Sequence, residues 1–155
     1  LYLPEGRIIA MVRTSSGSKN IPQEEKYLWQ THSDDGGKTW SEPTKTEMWG
    51  YPAHLLLLRN GDVLCSYGHR RPPYGIRACF SYDGCKTWDV EHEAVLRKDG
   101  LTTQGTVVGM GSSADLGYPK TVELSDGSLF TVYYFTLGDG VTHVAATKWA
   151  RDYAI

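Results

Sequence analysis

Three of the five histidines, His54, His69 and His143, fall near the ends of strand-like runs. An imidazole there titrates near neutral pH and can take a proton from a bound molecule. Taken singly, each also reads as an ordinary hydrogen-bonded structural histidine; three on one rim would make a site. His32 and His92 read as surface positions. Two tyrosines, Tyr51 and Tyr118, sit in the same tripeptide, Gly-Tyr-Pro, ahead of successive strand runs. That repetition suits turn residues, and Tyr51 is also a pocket-lining candidate. No C-x-x-C or H-x-x-x-H spacing points to a metal, and no cofactor is expected.

The conspicuous aspartates, Asp35 and Asp83, belong to two copies of one pattern set 48 residues apart. The first runs Ser33-Asp34-Asp35-Gly36-Gly37-Lys38-Thr39-Trp40. The second runs Ser81-Tyr82-Asp83-Gly84-Cys85-Lys86-Thr87-Trp88, with Cys85 in the place of Gly37. Asp followed by Gly favours a tight turn. The Ser and Thr hydroxyls can satisfy turn amides, and the Trp supplies a large apolar plate. The pattern is therefore structural, and its fixed spacing predicts a repeat architecture.

The elements that position these residues repeat as well. Gly6, Gly61 and Gly127 each open a strand-like run: Arg7–Arg13, Asp62–Tyr67 and Ser128–Tyr134. Upstream arms run through Leu55–Leu58 and Thr121–Leu124. Further strands are expected at Tyr27–His32, Gly75–Phe80 and Val141–Trp149, and a third aspartate turn would follow the last of these. Residues 14–25 and 97–115 read as long loops, of the kind that often forms functional rims. No stretch holds helical periodicity. The expectation is an all-β chain of about three units, approximately 1–49, 50–100 and 101–155, each of up to four antiparallel strands. Such units build a β-propeller, which takes four to eight blades, so three leave the ring open.

Bulk properties narrow the partners. A net charge of −2 argues against nucleic acid and anionic membranes. Ten Tyr and five Trp suit sheet cores and sugar-stacking faces alike. Three cysteines are too few for a disulfide scaffold, and Cys65 and Cys79 read as small buried residues. No apolar run is long enough to span a membrane. No signal peptide is visible. The opening Leu1–Gly6 reads as a strand-entry turn, so the chain looks like part of something longer, with a secreted or periplasmic parent compatible with it.

The two turns are Asp-boxes, and from Gly6 to Tyr134 the chain resembles the sialidase (neuraminidase) superfamily. The order is a strand ending in Arg13, an Asp-box, Gly75-Ile76-Arg77, a second Asp-box, then Gly117-Tyr118-Pro119 before an Asp-Gly strand. The resemblance implies the C-terminal half of a six-bladed propeller. It implies a retaining exo-α-sialidase that acts on terminal acidic sugars of glycans. That family grips the substrate carboxylate with three arginines and uses a Tyr nucleophile activated by a Glu. Carried over, Arg13 matches the second arginine and Arg77 the third, with Arg71 as the alternative. Tyr118 matches the nucleophile, although Pro119 stands where Ser is usual. The first arginine, the acid/base Asp and the Glu partner have no counterpart here.

Two other readings stand beside the hydrolase. A propeller lyase acting on uronic acids would use the histidines or Tyr118 to abstract a proton. A non-catalytic carbohydrate-binding or scaffolding propeller would keep Asp-boxes for folding alone. A homo-oligomer in which two three-bladed chains complete one ring is a further expectation.

Overall fold

The computed structural model describes residues 1–14, 22–100, 115–137 and 140–151. It is all-β, with three antiparallel sheets. The first sheet holds β1 (Ile8–Arg13), β2 (Tyr27–Ser33) and β3 (Thr44–Trp49). The second holds β4 (Ala53–Leu57), β5 (Val63–His69), β6 (Tyr74–Ser81) and β7 (Ala94–Gly100). The third has β8 (Gly117–Glu123), β9 (Leu129–Thr136) and β10 (Thr142–Trp149), with β9 in the middle. Among the described residues, no helix is long and apolar enough to cross a membrane.

One hairpin is built three times. The N–H groups of Leu3, Leu58 and Leu124 each donate to the carbonyl four residues on, at 2.8 Å. Gly6, Gly61 and Gly127 return a bond to those same leucines at 2.9–3.0 Å. Leu1–Leu3 therefore lies along β1 much as β4 lies along β5, and Tyr2 bridges Ile8. The repeat sets a common polarity: β1, β5 and β9 end where β4 and β8 begin.

The loop expected over 97–115 begins later than its composition suggests. Residues 97–100 complete β7, because Arg97 pairs with Ile76 and Gly100 with Tyr74. Residues 23–25 of the other expected loop form a 3-10 turn. Residues 15–21, 101–114 and 152–155, where the rest of those loops and any third Asp-box would fall, lie outside the described residues.

Apolar seams join the sheets. Leu28 and Met48 pack on Cys65, Tyr67 and Cys79 between the first and second sheets. Leu58, Leu64, Phe80 and Leu129 fill the next seam. A buried polar thread runs beside it: Thr121 Oγ1 donates to Ser66 at 3.2 Å and lies 2.9 Å from Thr131, which accepts from the Trp149 indole at 2.9 Å. Burial of such hydroxyls is tolerable because each finds a partner.

Both Asp-boxes are internally alike. Asp35 Oδ1 accepts from the Ser33 hydroxyl and from the N–H groups of Lys38 and Thr39, and Oδ2 from the Thr39 hydroxyl. The Thr39 bonds above all hold the Asp35 carboxyl down to about 2. Asp83 repeats the set with Ser81, Lys86 and Thr87. Outside the turn they differ. Trp88 donates to Gln30 Oε1 at 2.8 Å, and Gln30 Nε2 donates to the Cys85 carbonyl at 2.7 Å. The second box is thus clasped to β2 of the neighbouring sheet. Trp40 donates only within its own turn, to the Gly37 carbonyl, and stays 45% exposed.

Candidate functional site

The sequence-predicted residues separate into two groups, with two histidines apart from both. The first group gathers where β1 and β5 end and β4 and β8 begin. Tyr51 is its plate, 4% exposed. The Arg13 guanidinium lies 4.6 Å from the Tyr51 ring centre, Arg70 5.3 Å and the Lys26 ammonium 5.6 Å. Cations at such distances from an aromatic ring gain from the negative quadrupole of its faces. Among the described residues, neither Arg13 nor Lys26 forms an ion pair.

Tyr118 stands on the other side of Arg70, whose guanidinium is 5.9 Å from its ring centre. It sits in a bulge: Gly117 faces Tyr134 and Lys120 faces Val132, so β8 carries one extra residue over that interval. Tyr118 takes up the irregularity with φ +50° and is 55% exposed. A bulky side chain at positive φ is uncommon and marks local strain. Bulges re-aim side chains, often at sites. Gly117 supplies the positive φ, +130°, that starts the bulge, and a Cβ there would meet Arg70 Nη2 at an ordinary 3.4 Å.

Arg70 itself is largely buried, and its Nη2 donates to the Tyr134 hydroxyl at 2.7 Å. The Tyr134 ring is 5.8 Å from that of Tyr118. Burial raises the Tyr134 phenol, opposed by the Arg70 charge, so it stays a neutral hydroxyl. Arg70 was not singled out from the sequence; Arg71 and Arg77 were. The repeated hairpin is the signal that finds it: the offset from Leu3 to Leu58 puts Arg13 level with Gly68, so the residues just past β5 reach the same end.

The second group lines a cleft of about 460 Å³ between β3 and the second sheet. Here Arg71 stacks 4.3 Å from the Trp49 ring centre. His69 is buried, its Nδ1–H donating to the Pro73 carbonyl at 3.0 Å, which leaves Nε2 to accept from Arg71 Nε at 3.4 Å. Burial, then the Arg77 charge, push the imidazole down to about 4. Arg77 Nη1 bonds Glu93 Oε2 at 2.5 Å. Glu93 also accepts from the Tyr67 hydroxyl. This is a Tyr–Glu pair of the kind the sialidase resemblance calls for. However, Tyr67 is fully buried and its phenol is held well above its usual range by that burial, so the pair ties strands together.

His54 and His143 stand elsewhere. His54 Nδ1 accepts from the Thr121 N–H at 3.3 Å across the second seam, and burial lowers its pKa. His143 lies on β10, the edge strand, opposite Phe135. Among the described residues, the three histidines share no hydrogen-bond partner. Among the described residues, no group of three or more His, Cys, Asp or Glu is placed to hold a metal ion.

No family model matches this chain, and no curated protein matches it. Among solved structures it is similar to a protein of unknown function from Dyadobacter fermentans DSM 18053, with a TM-score of 0.78 and 32% identity. The match covers 97% of this chain and 37% of that one, so this chain spans little more than a third of the other's length.

Proposed function

We propose that this chain is part of a six-bladed β-propeller of the sialidase type. It binds the carboxylate of a terminal acidic sugar between Arg13 and Arg70, with Tyr118 in the nucleophile's position. One observation carries the reading. Two arginines from different sheets approach a single tyrosine ring, with an exposed, strained tyrosine beside one of them. Guanidinium forks match a carboxylate in shape and stay charged at any ordinary pH. A neutral phenol avoids the repulsion that a carboxylate nucleophile would meet from such a substrate. The three sheets with their common strand polarity and repeated Asp-boxes support the blade reading.

Among the described residues, Tyr118 makes no hydrogen bond to a carboxylate, and hydrolysis needs a base for the phenol and an acid for the leaving oxygen. That favours a second reading for this chain by itself: an acidic-sugar binder. The lyase reading draws less support, because a ring nitrogen of His54 and one of His69 are each tied to a backbone group. Calorimetric titration with N-acetylneuraminic acid and with its uncharged methyl ester tests the proposal. The acid is expected to bind and the ester to bind at least about tenfold more weakly, with Arg13→Ala removing the difference. Equal binding of the two would overturn it.

A further inference from the structure

The register of the repeated hairpin singles out two bare sheet faces, one at each end of the row of sheets. Counted from Leu3, Leu58 and Leu124, the residues Arg13, Gly68 and Tyr134 are level. Their partners on the next strand are Leu28, Ile76 and Val144. Leu28 and Ile76 are 0% exposed, because each packs against the following sheet. Val144 holds the same place in the third sheet and is 77% exposed. Val122 and Val132 share its face and are exposed too, as is Ala146, which pairs with Val132. Exposed apolar surface of this kind marks an interaction site.

The first sheet has the opposite face bare. Tyr67, packed against the first sheet, is fully buried, whereas Val12, level with it, is exposed. Leu57 packs in the same seam, and Tyr2, level with it, is exposed. Trp88 of the second Asp-box docks on Gln30 of β2, whereas Trp40 of the first box is exposed. On β10 the place of Gln30 is taken by Ala146, since Gln30 pairs with Met11 and Ala146 with Val132. That exchange suits Trp40. Its N–H already donates to the Gly37 carbonyl, so it needs an apolar bed and no further acceptor. One end of the chain carries the plate and the other carries the bed.

We propose that the bare face of the third sheet docks on the bare face of the first sheet of a second copy of this chain. Trp40 of one copy then lies on Val144 and Ala146 of the other, as Trp88 lies on β2 within the chain. The contact is head to tail, so its two sides differ and it repeats until it closes. The number of copies rests on the six-bladed reading above: three sheets are then half a turn, and two copies close one ring with two identical seams. The second seam forms within an existing contact, which tightens the whole.

The test is sedimentation equilibrium of the full chain from micromolar to millimolar concentration. A dimer is expected. Val144→Asp puts a charge into the seam and is expected to weaken the dimer at least about tenfold. Trp40→Ala removes the anchor from the other side and is expected to do the same. Both residues are exposed in the single chain, so circular dichroism at a dilution where the chain is monomeric is expected to stay unchanged. An equimolar mixture of the two variants keeps one intact seam and is expected to form more dimer than either variant alone. Three results would each overturn the proposal: a monomer at every concentration, a dimer that neither variant weakens, or a dimer weakened by Val144→Asp and untouched by Trp40→Ala, which would join two third sheets to each other. The first of these leaves the six-bladed reading standing. A closed trimer weakened by both variants would support the seam and sink the six-bladed count alone.

Discussion

The two Gly-Tyr-Pro copies begin alike and end differently. Both open an inner strand, β4 or β8, and both start from a glycine at positive φ, +152° at Gly50 and +130° at Gly117. Tyr51 turns inward, is buried, and serves as the plate for Arg13, Lys26 and Arg70. Tyr118 sits in a bulge at φ +50° and faces outward. The difference lies in what surrounds each copy. Each ring meets an arginine from the preceding sheet, but Tyr51 has Lys26 and Arg70 beside it as well as Arg13, whereas Tyr118, among the described residues, meets Arg70 and Tyr134. One tripeptide thus builds a structural floor at one seam and presents a phenol at the next.

Substitutions can break that contrast, the most disruptive first. Tyr51→Ala empties a packed site and is expected to cost about 3–5 kcal/mol in urea unfolding. Gly50→Ala is expected to cost about 3 kcal/mol, because its Cβ would stand 2.6 Å from the Gly68 carbonyl and from the Tyr67 ring. Gly117→Ala has more room and should cost about 1–2 kcal/mol, from its φ. Equal losses at the two glycines would mean that the seams are not different.

The Asp-boxes offer the same kind of test at smaller scale. Gln30→Ala strips the second box of two bonds and is expected to cost about 2 kcal/mol. Trp40→Ala, at the exposed first box, should stay within about 1 kcal/mol.

His69 adds a pH dependence. Its folded pKa of about 4 lies below the ordinary 6.5, so the unfolded chain takes up the proton first as pH falls. Stability from this group is complete above pH 6.5 and drains away between there and about 4. Unfolding midpoints across that window should fall less steeply in His69→Gln. Tyr118→Phe is the mildest change, within about 0.5 kcal/mol in stability. Where the remaining blades of the proposed propeller are present, it is expected to abolish release of 4-methylumbelliferone from its N-acetylneuraminide while leaving binding of the free acid intact.

The inner hairpins are legible in the sequence because each carries a polar-Gly turn and a run of β-branched or aromatic residues. The outer strands β3 and β7 are not. Thr44–Trp49 opens on Thr-Lys-Thr-Glu and Ala94–Gly100 closes on Arg-Lys-Asp-Gly, the polar character that edge strands with a solvated face tend to have. The site was legible in part. Arg13 lies beside Tyr51, and Arg70 lies beside both Tyr51 and Tyr118, at strand ends that the common polarity puts on one side. Arg70 is not legible, because a charge one residue beyond a strand carries no periodicity. Arg77 faces Tyr67 across β5 and β6, and that register directs it to Glu93.

A crystal structure of the protein with N-acetylneuraminic acid would test the central claim most directly. The carboxylate is predicted to lie between the Arg13 and Arg70 guanidinium groups, above Tyr51 and beside Tyr118. A carboxylate seated on Arg71 and Arg77 instead, or a site with no contact to Arg13, would contradict the account.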